Sequence, residues 1–345
     1  MKKQIIAGAV CLAMGLGVFA GTAMAEEGKT WRIGFANIAE LVELQVTVKE
    51  SVERAAEEAG VELVYMNNNL DGQTAVQNAS NMIQQEIDGF IEFNVDESVG
   101  PTIKEMMDEE GIPIIAVDIA IDGCTFFGAN NEVAGTVGGR ALGEVSKERW
   151  GQEPDILLLV YDSTSGESPM KRVTCMPDGL RETWPDFPDE KIFMVDSGID
   201  AAVAQKAVSD FLSAHPDDHH IAIGCYHDVA ATATLAALET AGREEDAIFV
   251  AENEYGYLDY IKANPDVDPD KDPWIGGVAF FFNKYGDYLI PAMIDKLNGK
   301  DIGDAIYVDH EVITRENAEE YFGDYLSFAV FNNGEDRRCK QRHGA

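Results

Sequence analysis

Two kinds of stretch alternate along this chain from residue 31 onward. Short, almost wholly apolar runs have the length and character of strands buried on both faces. Between them lie longer segments whose apolar positions recur every three or four residues, the spacing of an amphipathic helix. The pattern predicts strands over residues 31–36, 61–66, 90–93, 112–117 and 125–128, with helices over 46–59, 74–87 and 99–110. It then begins again with helix 131–150, strand 156–161, helix 170–183, strand 192–195, helix 201–215, strand 220–225, helix 229–241, strand 247–251, helix 257–263 and strand 274–279. A long helix over 284–297, a last strand over 306–313 and a short segment to 331 follow. Alternation of this kind builds right-handed βαβ units and parallel sheets. Two successive five-strand runs predict an α/β protein of two similar lobes, each a parallel sheet flanked by helices, and not one large sheet.

The stretch from Gly111 to Asn131 marks the change of lobe. Its apolar run ends at Val117, and Asp118 falls at the carboxyl end of the strand, where open α/β sheets bind their ligands. Asn130 and Asn131 then start a new helix. The chain is read as leaving one lobe here, with Asp118 facing the gap. The first lobe is expected to comprise residues 26–129 plus 281–308, and the second 130–280 plus 309–331.

The amino-terminal sequence changes the picture of where the protein works. Met1-Lys-Lys, an apolar stretch from Ile5 to Phe19 and Ala23-Met24-Ala25 have the three-part form of a secretory signal peptide, residues 1–25, cleaved after Ala25. The apolar run is shorter than the ~20 residues a membrane span needs. A soluble periplasmic protein is expected, with residues 332–345 as a polar, flexible tail. The formal net charge of −36 becomes more negative once two signal lysines are removed. Such a surface repels nucleic acid and anionic membranes. Five cysteines lie far apart, with no C-x-x-C and no zinc spacing. A domain of this size needs no disulfide; Cys175 and Cys225 would be the pair if one formed.

Recognisable reaction chemistry is missing from the sequence. The first strand is followed by Asn37-Ile-Ala-Glu40 where a dinucleotide fold would carry G-x-G-x-x-G. A nucleophile elbow and a Walker loop are also absent, so neither catalysis nor a cofactor is expected. Gly138-Gly139 reads as close helix packing, His215-Pro-Asp-Asp-His-His220 as a polar turn, and the acids from Asp266 to Asp272 as a solvated loop. What remains is a set of polar residues at successive strand ends: Asn37, Glu40 and Glu43 after the first strand, Asn94 after the third and Asp118 after the fourth. Arg172, His227, Asp228, Glu252 and Asn253 come from the second lobe. Taken singly, Asn94 could be a turn residue, Asp228 a helix cap and Arg172 a surface group. Together they suit a small polar ligand held between two lobes.

Several stretches carry a resemblance: Ser51-Val-Glu-Arg-Ala-Ala-Glu-Glu-Ala-Gly60, Asp88-Gly-Phe-Ile-Glu-Phe-Asn94, Gly111-Ile-Pro-Ile-Ile-Ala-Val-Asp118, Phe127-Gly-Ala-Asn-Asn131, Ala214-His-Pro-Asp217, Tyr285-Gly286 and Thr314-Arg-Glu-Asn317. In these the chain resembles the type I periplasmic binding proteins, in particular the ribose- and galactose-binding group that serves ABC transporters. The resemblance implies two Rossmann-like lobes joined by three crossovers, hinged near Asn130, Phe280 and Val308, and closing on a sugar or sugar-like ligand. It implies Asp118 and Arg172 as ligand-binding residues, with His227-Asp228 and Asn253 standing where the family has Asn-Asp and an aspartate. With Asn37, Glu43 and Asn94 from the strand-end pattern, the expected ligand-binding residues are Asn37, Glu43, Asn94, Asp118, Arg172, His227 and Asn253, with no metal and no catalysis. The implied partners are an ABC transporter permease and, in some members, a chemoreceptor; the chain is expected to act as a monomer. Two departures stand out. The paired aromatics of the family's first loop are replaced by Glu40-Leu-Val-Glu-Leu-Gln45, and the arginine usual after the Asp118 position is Ile119. Glu40 and Glu43 would favour a ligand bearing an amine, or are simply acids at a helix amino terminus.

Overall fold

The computed structural model describes residues 30–41, 43–94 and 96–327. The signal segment, the 332–345 tail and Cys339 lie outside the described residues. In chain order the elements are β1 (Arg32–Asn37), α1 (Glu43–Ala59), β2 (Glu62–Asn67), α2 (Gly72–Gln84), β3 (Gly89–Glu92), α3 (Gly100–Glu109), β4 (Ile114–Val117), β5 (Thr125–Ala129) and α4 (Asn131–Trp150). Then come β6 (Ile156–Tyr161), α5 (Glu167–Thr174), α6 (Met176–Thr183), β7 (Ile192–Asp196), α7 (Ala201–Ala214), β8 (Ile221–Cys225), α8 (Asp228–Ala241) and β9 (Ala247–Glu252). The chain continues through α9 (Tyr255–Ala263), β10 (Trp274–Val278), α10 (Tyr285–Leu297), β11 (Ala305–Val308), β12 (Val312–Ile313) and α11 (Ala318–Ser327).

The two sheets have the same plan. One runs β2-β1-β3-β4-β5-β11 and the other β7-β6-β8-β9-β10-β12. Every pairing is parallel except the two-residue β12 against β10. Each order reverses at its first strand, the switch point at which such sheets open a crevice. Strands β4, β8 and β9 are buried along their whole length, as strands covered by helices on both faces must be. In the first lobe α1 and α10 cover one face while α2 and α3 cover the other. In the second, α7, α8 and α9 face α4, α5 and α6 across the sheet.

Helix boundaries follow local chemistry. Asp71 accepts the Thr74 amide at 2.7 Å to start α2, and Asp200 caps α7. Gly151 (φ 67°) and Gly242 (φ 64°) end α4 and α8 in the left-handed conformation.

Three expectations need correcting, and the conditional cysteine pair is placed apart. The helix predicted over 170–183 begins earlier and breaks at Cys175 into α5 and α6, because Pro177 fits only the first turn of a new helix. The strand predicted over 306–313 is two strands in two sheets, β11 beside β5 and β12 beside β10. Cys175 and Cys225 are both free. Cys225 is buried on the α8 side, its Sγ 3.4 Å from Thr234 Oγ1, whereas Cys175 sits at the α5–α6 joint over the opposite face. Asp272 is no solvated acid: only 2% exposed, it accepts from Arg315 at 2.8 Å and from the Tyr260 hydroxyl at 2.8 Å.

The expected close packing of α4 is present and tight. A Cβ on Gly139 would lie 1.9 Å from the Met176 carbonyl oxygen, and one on Gly135 would lie 2.5 Å from that of Lys171. Backbone therefore rests on backbone where α5 and α6 cross α4. Gly139→Ala is expected to lower the unfolding free energy by about 1–3 kcal/mol, the usual cost of overpacking. Urea denaturation would show this as a lower midpoint; an unchanged midpoint would mean that α6 shifts freely.

Candidate functional site

The carboxyl ends of the two sheets face each other, and three of the turns there are strained. Asp118 after β4 has φ 57°, Asn253 after β9 has φ 98° and Phe281 beyond β10 has φ 48°. None is glycine, so each pays a steric cost to adopt the left-handed region. Strain gathered at strand ends around a crevice is where binding sites place it.

Asp118 is the centre of the site. Gly128 on β5 makes room for it: a Cβ there would stand 2.5 Å from Asp118 Oδ1. The Tyr285 hydroxyl, at the start of α10, lies 3.2 and 3.3 Å from the two carboxylate oxygens, and the Ala129 amide also donates to them. Burial pushes the carboxyl up to about 6, against the opposing pull of Arg172 and of these hydrogen bonds. Arg172 comes from the other lobe, on α5. Its Nε donates to Asn131 Oδ1 at 2.7 Å, and its guanidinium lies 4.6 Å from the Phe280 ring centroid and 5.5 Å from that of Tyr226. Stacking and one hydrogen bond fix the orientation of the planar fork.

Asp118 and Arg172 line one cavity of about 740 Å³ at the joint of the lobes, a volume suited to a small molecule. Aromatic rings from Phe126, Phe280, Phe282, Tyr285 and Tyr307 also line it. Phe280 and Phe282 lie parallel, with centroids 6.1 Å apart. The stacking surface absent from the first loop is thus offered by the second and third crossovers. The run Phe280-Phe281-Phe282 at a strand end was the sequence signal for it.

The other expected residues stand at strand ends but do not line this cavity. Asn37 is fully buried, and its amide serves its own loop, donating to the carbonyls of Ala39 and Gln45 and accepting from Ile38 N. Asn94 accepts from Asp96 N at 2.7 Å, while its Nδ2 is buried without a partner among the described residues. His227, rather than Asp228, caps α8: its Nδ1 accepts from Ala230 N at 3.0 Å, and its Nε2 is buried without a partner among the described residues. Asn253 Oδ1 accepts from Tyr255 N at 3.3 Å. The Glu43 side chain lies outside the described residues. Glu40 is already engaged, by the Tyr65 hydroxyl at 2.6 Å and by Lys49 at 3.1 Å.

Sequence reasoning placed Glu252 at a strand end but missed Glu254 and Glu92, and missed that the three form a set of buried acids. Glu252, Glu254 and Glu92 are essentially inaccessible, and burial raises the carboxyls of all three. Glu254, pushed up to about 8, accepts from the Phe280 amide at 3.0 Å and so secures the exit from β10. Among the described residues Glu252 has no hydrogen-bond partner for either oxygen. These acids were hard to foresee because a glutamate is rarely fully buried.

The family model of the periplasmic binding protein domain matches residues 33–301. The chain belongs to this family. As a periplasmic binding protein it is a solute-binding molecule of the extracytoplasmic space, with no catalysis to perform. Among solved structures it is similar to a periplasmic ribose ABC transporter protein from Conexibacter woesei DSM 14684, with TM-score 0.67 and 19% identity over 84% of this chain and 94% of that one. It is also similar to a solute-binding protein from Actinobacillus succinogenes 130z with bound D-allose, at TM-score 0.64 and 17% identity over 85% and 100% of the two chains. A third is a solute-binding protein from Bacillus halodurans C-125 with bound myo-inositol, at TM-score 0.61 and 19% identity over 87% and 100%. At these identities the structures establish the two-lobed fold. No curated protein matches in sequence.

For this periplasmic binding protein the raised Asp118 carboxyl makes a prediction with a definite sign. A carboxyl whose folded value exceeds its unfolded one favours the native state only while protonated, and the benefit is lost as pH rises through the window from about 4 to about 6. Asp118→Asn, always neutral, is therefore expected to gain stability over the wild type by roughly 2–3 kcal/mol between pH 4 and pH 7. Melting temperatures of both proteins across that range check it; a difference independent of pH would be the contrary result.

Proposed function

We propose that this periplasmic binding protein captures a small neutral polyhydroxylated molecule, a sugar or cyclic polyol, and delivers it unaltered to an ABC importer. The observation that carries this reading is the opposition of Asp118 on one lobe to Arg172 on the other across an aromatic-lined cavity. Carboxylate and guanidinium offer acceptors and donors to hydroxyls, and ring faces cover the C–H surfaces of a sugar. Solute-binding proteins of the same fold have been solved with D-allose, glycerol and myo-inositol. Each hydroxyl must give up water, so only a matched set of partners makes binding favourable.

Closure assigns roles to the remaining strand-end residues. The two moving units are residues 26–129 with 281–308 and residues 130–280 with 309–331. Asn94 and His227, each with an unpartnered donor, and Asn253 supply the hydrogen bonds completed around the ligand; Asn37 shapes the loop beside them. The engagement of Glu40 by Lys49 and Tyr65 removes one of the two carboxylates that would have favoured an amine. Ligand binding stabilises the closed form that a permease recognises. A chemoreceptor could read the same closed surface. The acting unit is a monomer, released after cleavage behind Ala25.

A micromolar constant, about −8 kcal/mol, is sufficient for capture. At a hundredfold excess over it, a cognate sugar or polyol stabilises the protein by about 2.7 kcal/mol, a rise in melting temperature of roughly 5–10 °C. A thermal-shift panel of D-ribose, D-allose, L-arabinose, D-galactose, myo-inositol and glycerol, run beside the twenty amino acids, tests the assignment. One polyol is expected to give the shift and Asp118→Ala to abolish it. A shift with an amino acid alone would reject the ligand class, and a polyol shift that survives Asp118→Ala would reject the site.

A further inference from the structure

His310 lies between β11 and β12, on the third passage of the chain from lobe to lobe. Its ring joins the other two. Nε2 is 3.1 Å from the backbone nitrogen of Asn130, on the first crossover, and Nδ1 is 3.0 Å from the carbonyl oxygen of Ala279, on the second. A backbone amide can only donate and a carbonyl can only accept. The imidazole must therefore be neutral, with its proton on Nδ1 and a lone pair on Nε2. The Ala279 amide returns a bond to the Glu311 carbonyl at 2.7 Å, and the Phe280 ring meets the imidazole edge-on at 5.1 Å.

What hangs on Asn130 gives this contact its meaning. The residue before it, Ala129, donates its amide to the Asp118 carboxylate, and the residue after it, Asn131, receives Arg172 Nε at 2.7 Å. Three consecutive residues therefore hold the acid of one lobe, the imidazole of the joint and the arginine of the other lobe. We propose that His310 is a positioning residue that fastens the three crossovers together and thereby sets the spacing of Asp118 and Arg172. The fastening works in one protonation state. A proton on Nε2 would point at the Asn130 N–H, donor against donor, and the bond would be lost.

The charged groups bearing on the ring are Arg172 on α5, which disfavours a second cation, and Asp309 beside it, which favours one. Burial is the largest influence and, with Arg172, holds the imidazole below the usual histidine range despite the Ala279 bond and Asp309. The unfolded chain therefore takes up its proton first. The contribution to stability is complete above the ordinary histidine value of about 6.5 and is lost as pH falls below it. The proposal goes beyond ligand capture and its test needs no ligand, so its failure would leave the polyol reading standing.

Three measurements on the whole unliganded protein decide it. Long-range proton–nitrogen correlation spectra at pH 7.5 are expected to show the His310 ring, identified by its absence from His310→Gln, protonated on Nδ1; protonation on Nε2 would overturn the proposal. Small-angle scattering from pH 7.5 to 4.5 is expected to show a change in lobe separation in the wild type, at a pH below the usual histidine range. The change should persist in Asp118→Asn and in Glu254→Gln, which remove the two raised carboxyls that bear on the crossovers. It should vanish in His310→Gln, whose amide offers one donor and one acceptor without titrating. An identical transition in His310→Gln, or none in the wild type, is the contrary outcome. Amide exchange at Asn130 is expected to quicken at least tenfold in His310→Phe and to return toward wild-type protection in His310→Gln; unchanged exchange in the phenylalanine variant would sink the idea. Should the phenylalanine variant not fold, the tautomer and the glutamine comparison still decide.

Discussion

A carboxylate withdrawn from water between two lobes is the constraint around which this molecule is arranged. Asp118 follows a fully buried strand and is only partly exposed at the cavity wall, so it has lost part of the solvent that would stabilise its charge. Every nearby feature offsets that loss in part. Tyr285 and the Ala129 amide donate to it, Arg172 lends a distant positive charge, and Gly128 clears the space it fills. The compensation is incomplete, which is why the carboxyl stays raised. A ligand hydroxyl donating to Asp118 would complete it, so an unfavourable group in the empty protein becomes the source of binding free energy.

The same constraint explains why the site is assembled from crossovers and not from a single loop. Tyr285, Phe280 and Ala129 all belong to segments that pass between lobes or flank such a passage. Residues placed there move relative to one another when the lobes rotate. Hydrogen bonds that depend on them therefore report the angle of the joint directly. The second lobe must also hold Arg172 rigidly. Backbone contact between α4 and the α5–α6 pair, allowed by Gly135 and Gly139, leaves little room for α5 to drift.

Much of the architecture could be read from hydrophobic periodicity, because strands buried on both faces leave so strong a mark. The fourteen apolar or neutral positions in β4, β8 and β9 needed no tertiary information to be recognised. Two failures have the same origin. The 306–313 segment is apolar at both ends but carries Asp309-His310-Glu311 between them, where the chain changes sheet, and the apolar ends outweighed that interruption. The break at Cys175 was signalled by Pro177, yet the surrounding apolar spacing outweighed it. Within the site, Asp118 and Arg172 were legible as charges at strand ends. Tyr285 and His310 were not, since an aromatic at a helix start and a lone histidine in a loop ordinarily serve packing. Asn37 illustrates the converse: a strand-end amide that looks like a ligand group is consumed by its own loop.

The acidity of the chain bears on which solutes reach this site. With a formal net charge of −36, the molecule surrounds its cleft with a negative potential that raises the local concentration of cations and lowers that of anions. A neutral sugar or polyol carries no net charge for that potential to act on, so its encounter rate is insensitive to surface charge and to salt. An acidic sugar would be repelled at low ionic strength, and the repulsion would weaken as salt shortens the Debye length below about 10 Å. The fully buried acids beside the cleft do not add to this bias. Glu252 and Glu254 are raised by burial toward their neutral forms, and Arg172 faces Asp118 as an opposite charge. The surface can therefore become very acidic without altering the recognition of a neutral ligand, whereas a binding site for an anion on the same surface would lose encounter rate with every added carboxylate.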